Sequence, residues 1–301
     1  MKVADLVSRL QRRDPRAIAR AISLVEDNDP AAAELLDSLD RGRIDEALII
    51  GITGPPGAGK STLTGRLVGV LRRENRRVGV LAVDPSSVLS GGAVLGDRIR
   101  MMDHAADPDV VIRSMASRGR LGGLCAAAGA VARIMAAAGC TPVVIETVGV
   151  GQLEMDVARL ADLTVLVLAP GLGDEIQAMK AGVLEVADLL VVNKADLPGA
   201  DNLITDLRAA LTPDIPLLVT SAATGTGVRE LAGELVRIDE RERQGGRQSR
   251  RRQARIEEIV DWAMDLLRPR LRRKAGEMRL DHDPKIVAQR LVAELVRDDH
   301  E

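Results

Sequence analysis

Short, unbroken apolar runs recur through the middle of the chain, and helical periodicity fills the gaps between them. The runs are Ala47–Thr53, Val78–Val83, Val143–Ile145, Leu163–Ala169, Leu189–Val192 and Pro216–Thr220. A strand covered on both faces has no polar alternation, so such runs predict the strands of a parallel sheet. Between them, apolar spacing of three and four residues predicts helices over 60–74, 123–138, 152–161, 174–187, 201–211 and 226–239. Alternation of this kind predicts a doubly wound, mostly parallel α/β sheet. The gap from 84 to 142 and the C-terminal tail are the longest stretches without a predicted strand, and both need explaining.

The flanks read differently. Asp14-Pro15 and Asp29-Pro30 each set a capping carboxylate before a proline suited to a first helical turn, predicting helices over 15–27 and 30–39. Beyond Gly245-Gly246 a basic run, Arg247–Arg255, leads into Ile256, Ile259, Val260, Ala263, Leu266 and Leu267, a single helical stripe. Pro269 is expected to kink or end that helix, and a further helix is expected over 284–296. The chain therefore divides into an N-terminal helical region (1–44), an α/β domain (45–240) and a helical tail (245–301). The tail holds too little apolar surface to fold alone and must pack on its own domain or on a second copy.

Composition narrows the function. Lys and Arg total 42 against 44 Asp and Glu, a net charge of −2, so no basic field exists for nucleic acid or an anionic membrane. Phe and Tyr are absent and Trp262 is the single tryptophan, which excludes base-stacking platforms for single strands. Cys125 and Cys140 have no metal-site or disulfide spacing and read as small buried hydrophobes. His104, His282 and His300 are scattered and read as surface residues. No apolar run approaches the roughly 18 residues of a membrane span, and a cytoplasmic protein is expected.

Gly54, Pro55, Pro56, Gly57, Ala58, Gly59, Lys60 and Ser61 match G-x-x-x-x-G-K-[ST] between a predicted strand and helix, with Thr62 following. Glycines let the backbone turn its N–H groups inward around phosphates, assisted by the positive helix end. Lys60 would reach the β- and γ-phosphates and Ser61 would ligate Mg²⁺. Asn193, Lys194 and Asp196 form N-K-x-D after a buried strand. A carboxylate there accepts from guanine N1–H and the N2 amino group, which adenine cannot match. The Lys194 stem can cover the base, and backbone N–H groups of Ser221, Ala222 and Ala223 are placed to meet guanine O6.

Glu146-Thr147-Val148-Gly149 ends another predicted strand, where a carboxylate can hold Mg²⁺ through water and Gly149 N–H can bind the γ-phosphate. Val150 stands where many GTPases carry a water-orienting glutamine, so slow hydrolysis is expected; Gln152 and Glu154 lie nearby. Asp84 ends the second strand and is a candidate for the Mg²⁺ shell or the attacking water. Asp97 is either a second such carboxylate or a solvated loop acid. Arg98 and Arg100 are either charge clamps or surface ion-pair partners.

The motifs GITGPPGAGKSTL, VLAVDPSS, GGAVLGDRIRM, SRGRLGG, VVIETVGVGQLE, PGLGDEIQAMKAG and VNKAD together resemble the MeaB/ArgK family of P-loop GTPases, close to the methylmalonic aciduria type A proteins. The similarity spans about residues 10 to 240. It implies the signal-recognition and metallochaperone branch of the GTPase fold, a homodimer, and an adenosylcobalamin-dependent acyl-CoA mutase as partner, usually methylmalonyl-CoA mutase. GTP binding and hydrolysis in that family gate cofactor loading and protect the mutase. By resemblance Lys60, Asp84, Asp97 and Glu146 serve hydrolysis, with Ser61, Asp84, Asp97 and Glu146 about Mg²⁺. An additional switch signalling to the mutase corresponds to about Gly171–Gly182, with Asp174, Glu175, Gln177 and Lys180. The alternative within the same fold is a nickel-inserting metallochaperone, and one of a different class is a kinase acting on a transport component; the N-K-x-D segment argues for GTP against the second. The former wants paired Cys/His ligands that the scattered residues do not supply.

Overall fold

A computed structural model describes residues 2–84, 104, 106–116, 123–147, 153–172, 186–210, 215–278 and 283–298. Its strands are β1 (Ile49–Thr53), β2 (Val78–Asp84), β3 (Val110–Ala116), β4 (Val143–Thr147), β5 (Leu163–Leu168), β6 (Leu189–Val192) and β7 (Leu217–Val219). They form one sheet in the order β3-β2-β4-β1-β5-β6-β7, with every pairing parallel. The helices are α1 (Val3–Gln11), α2 (Pro15–Glu26), α3 (Ala31–Asp37), α4 (Arg41–Glu46), α5 (Lys60–Arg73), α6 (Gly123–Ala137), α7 (Leu153–Leu160), α8 (Ala200–Ala210), α9 (Val228–Gln244), α10 (Arg247–Glu277) and α11 (Pro284–Asp298). The predicted helix over 174–187 lies largely outside the described residues.

The sequence gap from 84 to 142 contains β3, which its pattern does not announce. Arg113 and Ser114 interrupt its apolar run. An edge strand tolerates this because one side is open, and the Arg113 guanidinium pairs with Glu26 on α2. On one face of the sheet, Leu81, Val83, Val143 and Ile145 pack with α6 and with Leu6, Leu10, Ile18, Ile22 and Leu35 of the N-terminal helices. On the other, α5 and α9 cover Ile50, Ile52, Val80, Val165 and Val191. With no Phe or Tyr available, this interior is aliphatic throughout. Close packing then needs a short side chain where a helix crosses the sheet: a Cβ on Gly51 of β1 would stand 2.9 Å from Val157 Cγ1 of α7.

Asp14 caps α2 by accepting from Arg16 and Ala17 N–H, as the Asp-Pro pair predicts. α1 has no side-chain cap and is held by its buried face, Leu6, Val7 and Leu10. That is why it lacks a start signal in the sequence.

The tail departs from expectation. α10 continues through Pro269 to Glu277, because that stretch is exposed and a carbonyl freed by proline can turn to water. Its basic run is a structural anchor. Arg247, 5% exposed, pairs with Asp239 and Asp162, Arg251 with Asp162, and Arg250 with Asp188. Asp162 is itself only 2% exposed and also accepts from Ile49 N–H at 2.9 Å, tying α10 to the entrance of β1. Further along, Glu258 makes a bidentate pair with Arg133 of α6 at 2.6 Å, and Trp262 packs against the α6-side core. The apolar stripe faces outward: Ile259 is 63% and Leu266 65% exposed. Among the described residues no helix is long and apolar enough to cross a membrane.

Two expectations follow. Asp162→Ala removes the buried carboxylate that Arg247 and the half-buried Arg251 share and takes the acceptor from Ile49 N–H, so denaturant unfolding should show a loss of about 3 kcal/mol; a change under about 1 kcal/mol would contradict the anchor. Cys140 is buried, and desolvation pushes its thiol up to about 11 from 9.0. The folded state keeps this proton longer than the unfolded chain, so its stabilising contribution is full below about pH 9 and is lost as pH rises toward 11. Iodoacetamide at pH 8 should label the Cys140 peptide only in denaturant, as read by mass spectrometry.

Candidate functional site

The strand ends at the C-terminal edge of the sheet bring segments far apart in the sequence together. Leaving β1, the chain turns at Gly54 with φ 140°, where a Cβ would lie 2.1 Å from the Val167 carbonyl oxygen of β5. Only glycine fits so close a passage. Gly59 closes the loop with φ 87° and is the N-cap of α5; a Cβ there would lie 2.5 Å from Asn193 Nδ2. Lys60 and Ser61 open α5, both buried, so the positive helix end lies beneath the loop. Lys60 Nζ donates to the carbonyls of Gly54 (2.7 Å) and Pro55 (3.0 Å), which holds the ammonium across the loop. Ala58 is buried, while Pro56, Gly57 and Thr62 are exposed at the rim.

β4 pairs with β1 so that Glu146 aligns with Ile52, two residues before the loop. The register brings the Glu146 carboxylate, 1% exposed, onto the Ser61 hydroxyl, which donates to Oε1. The two residues are 85 apart in sequence and become an oxygen donor pair. β2 also pairs with β4, Val83 opposite Thr147, so Asp84 stands at the same sheet edge beside the end of β4. Asp97, Gly149, Val150, Gln152 and 173–182 of the predicted switch, with Asp174, Glu175, Gln177 and Lys180, lie outside the described residues, as do Arg98 and Arg100.

Asn193, 1% exposed, links the segments. Its Nδ2 donates to the Ala58 carbonyl at 2.8 Å, while its Oδ1 accepts from Thr220 Oγ1 at 3.1 Å and Ala222 N–H at 3.0 Å. One amide therefore joins the phosphate-type loop, the end of β6 and the loop after β7. Lys194 follows with φ 58°, a left-handed conformation uncommon for a side-chain-bearing residue. Its Cε lies 3.7 Å from where a Gly59 Cβ would stand, so its stem lies along the first loop. Asp196 accepts from Ser221 Oγ at 2.5 Å, and this bond foremost holds its carboxyl below the ordinary range. An ionised, acceptor-only carboxylate thus flanks the Ser221–Ala223 loop.

Three participants have no clear signal in the sequence. Thr220 and its hydroxyl become relevant only once β6 and β7 pair. Arg66 lies six residues into α5 and donates to the carbonyls of Ala222 and Ala223, a contact spanning more than 150 residues of chain. His104, read from sequence as a surface residue, is half-buried and makes a 2.9 Å hydrogen bond to the Gly65 carbonyl.

The family described as Methylmalonyl Co-A mutase-associated GTPase MeaB matches residues 18–276. A candidate GTPase of Pyrococcus horikoshii is 46% identical over 268 residues, covering 86% of this chain and 84% of that one. The mitochondrial methylmalonic aciduria type A homolog of Mus musculus is 44% identical over 147 residues, covering 49% of this chain and 35% of that one. Among solved structures, an LAO/AO transport system kinase superposes with a TM-score of 0.68 at 26% identity, covering 98% of this chain and 97% of that one. A nucleotide-type loop at the end of β1, a buried Ser–Glu pair beside it and an N-K-x-D loop tied to both stand within the matched region. The chain belongs to the family of methylmalonyl-CoA mutase-associated GTPases, MeaB.

Proposed function

We propose that this chain binds GTP with Mg²⁺, hydrolyses it slowly alone, and uses its nucleotide state to gate cofactor loading into an adenosylcobalamin-dependent acyl-CoA mutase and to protect it. Methylmalonyl-CoA mutase is the first candidate partner, since the family carries its name. The observation that supports the guanine-nucleotide reading is the Asn193 amide, which ties the Ala58 loop directly to the Ala222 loop.

In this reading the Gly54–Ser61 backbone cradles the phosphates and Lys60 exchanges its two loop carbonyls for β- and γ-phosphate oxygens. The Ser61 hydroxyl and Glu146 carboxylate are hard oxygen donors in a buried setting, which suits Mg²⁺ rather than a thiolate-seeking metal. Bound Mg²⁺ would neutralise charge on the β- and γ-phosphates. Asp84 and Asp97 are the proposed further carboxylates of the Mg²⁺ and hydrolytic machinery, and Gly149 N–H the γ-phosphate contact. Asp196 accepts from guanine N1–H and the N2 amino group, the Lys194 stem covers the base, and the Ser221–Ala223 loop meets O6. Residues 171–182 would signal the nucleotide state to the mutase. The outward apolar stripe of α10 supports self-association into a homodimer, with 1–44, 45–240 and 245–301 as helical region, GTPase domain and dimerisation tail. The expected location is the cytoplasm. The solved relative named as a transport system kinase keeps a second reading in view; labelled GTP whose phosphate ends on a protein acceptor would favour it.

Calorimetry should show GTP and GDP bound at least ~100-fold tighter than ATP, as unpaired buried hydrogen-bonding groups penalise the wrong base. Asp196→Asn should remove most of that preference, and equal affinity for GTP and ATP in the parent protein would contradict the reading. Turnover by the isolated protein should fall in the ~10⁻⁴ to 10⁻² s⁻¹ range of unassisted GTPases and rise when the cognate mutase is added. Lys60→Ala should abolish it; turnover of many per second without a partner would overturn the regulatory role.

A further inference from the structure

Four consecutive residues after β7 could present backbone N–H groups to a base, and three of those donors are already engaged. Ser221 N–H donates to the Thr226 carbonyl at 3.0 Å, Ala222 N–H to Asn193 Oδ1 at 3.0 Å, and Thr224 N–H to Ser221 Oγ at 3.3 Å. Ala223 N–H has no acceptor among the described residues. Its direction is set from the opposite side of its own peptide. The Ala222–Ala223 bond is trans, so the Ala222 carbonyl and the Ala223 N–H point in opposite directions within one plane. Arg66 Nε donates to that carbonyl at 3.0 Å, and Nη2 donates to the next carbonyl, Ala223, at 3.1 Å. Both carbonyls therefore face α5, and the Ala223 N–H faces away from it.

We propose that Arg66 is a positioning residue for guanine recognition: its two-pronged hold on the Ala222 and Ala223 carbonyls aims the Ala223 N–H at guanine O6. The inference rests on the guanine reading of the site and deepens it. Arg66 sits on the helix whose first residues, Lys60 and Ser61, serve the phosphates. One rigid element thus sets the phosphate end directly and the O6 donor through a side chain. A guanidinium is suited to this because its donors form a fixed planar fork, whereas a lysine ammonium offers no such fork. Arg73 supplies a control. It lies on the same helix and lines the same cavity of about 500 Å³ as Arg66, yet the hydrogen bonds to the 222 and 223 carbonyls come from Arg66.

The test compares GDP, IDP and 6-thio-GDP binding by calorimetry. IDP keeps O6 and lacks the N2 amino group; 6-thio-GDP keeps N1–H and N2 but offers a poor acceptor at position 6. Arg66→Ala should weaken GDP and IDP alike by about 10-fold and 6-thio-GDP by less than about 2-fold, the loss of one well-aimed hydrogen bond. The GDP/6-thio-GDP ratio should then collapse while the GDP/IDP ratio holds. Arg66→Lys should fall between, and Arg73→Ala, with the same charge removed, should resemble the parent. Equal weakening of all three ligands in both Arg66 variants would show general loosening and overturn the proposal, as would unchanged affinities. A parent protein that binds ADP as tightly as GDP would instead sink the guanine reading itself, and this inference with it.

Discussion

A single buried amide, that of Asn193, is the constraint on which the site depends. Burial at 1% exposure means that each of its hydrogen bonds replaces one that water would have made, so leaving any of them unmade is costly. Its donors and acceptor go to three different places: the Ala58 carbonyl, the Thr220 hydroxyl and the Ala222 N–H. An aspartate in this position could not donate to Ala58, and a leucine could satisfy none of the three. The amide group is thus matched to the junction of β1, β6 and β7, and it keeps two loops from moving independently. Gly59 is the complementary half, since a side chain there would collide with the Asn193 nitrogen.

The sheet makes that junction possible. Parallel pairing sends every strand's C-terminal end to one edge, so β1, β2, β4, β6 and β7 all deliver their following residues to the same place. Register then selects which side chains meet. Glu146 reaches Ser61 because β4 aligns it with Ile52; a slip of one residue would turn it to the other face of the sheet. Because the interior lacks Phe and Tyr, this register is held by interdigitated Leu, Ile, Val, Ala and Met packing on both faces.

The opposite edge of the sheet serves attachment. Arg247, Arg250 and Arg251 converge on Asp162, Asp188 and Asp239 and bind the tail to the strand entrances. Burial lowers the Arg247 pKa from its ordinary value, and its close carboxylates counter this. Replacing a hydrophobic contact by such a cluster gives direction as well as attachment, because guanidinium and carboxylate planes must align. α10 is consequently fixed at its base, while its outer stripe remains exposed.

Much of this was legible in the residues themselves. Six of the seven strands announce themselves as apolar runs, five of them because burial on both faces leaves no other pattern, whereas β7 is a partly exposed edge strand; Asp14 and the glycines act through their own backbone neighbourhood. The Gly54–Ser61 and Asn193–Asp196 segments are recognisable for the same reason: local backbone geometry and hydrogen-bonding chemistry are written in consecutive residues. β3 escapes detection because an edge strand may carry Arg113, and its partner Glu26 lies 87 residues away. The exposed passage of α10 through Pro269, the conversion of a basic run into a buried anchor, and the Arg66 hold on Ala222 and Ala223 likewise depend on what stands across the fold. Sequence determined the elements and the chemical groups; tertiary structure decided which of those groups meet, because hydrogen bonds and ion pairs between distant residues take their geometry from strand register and helix packing rather than from spacing along the chain.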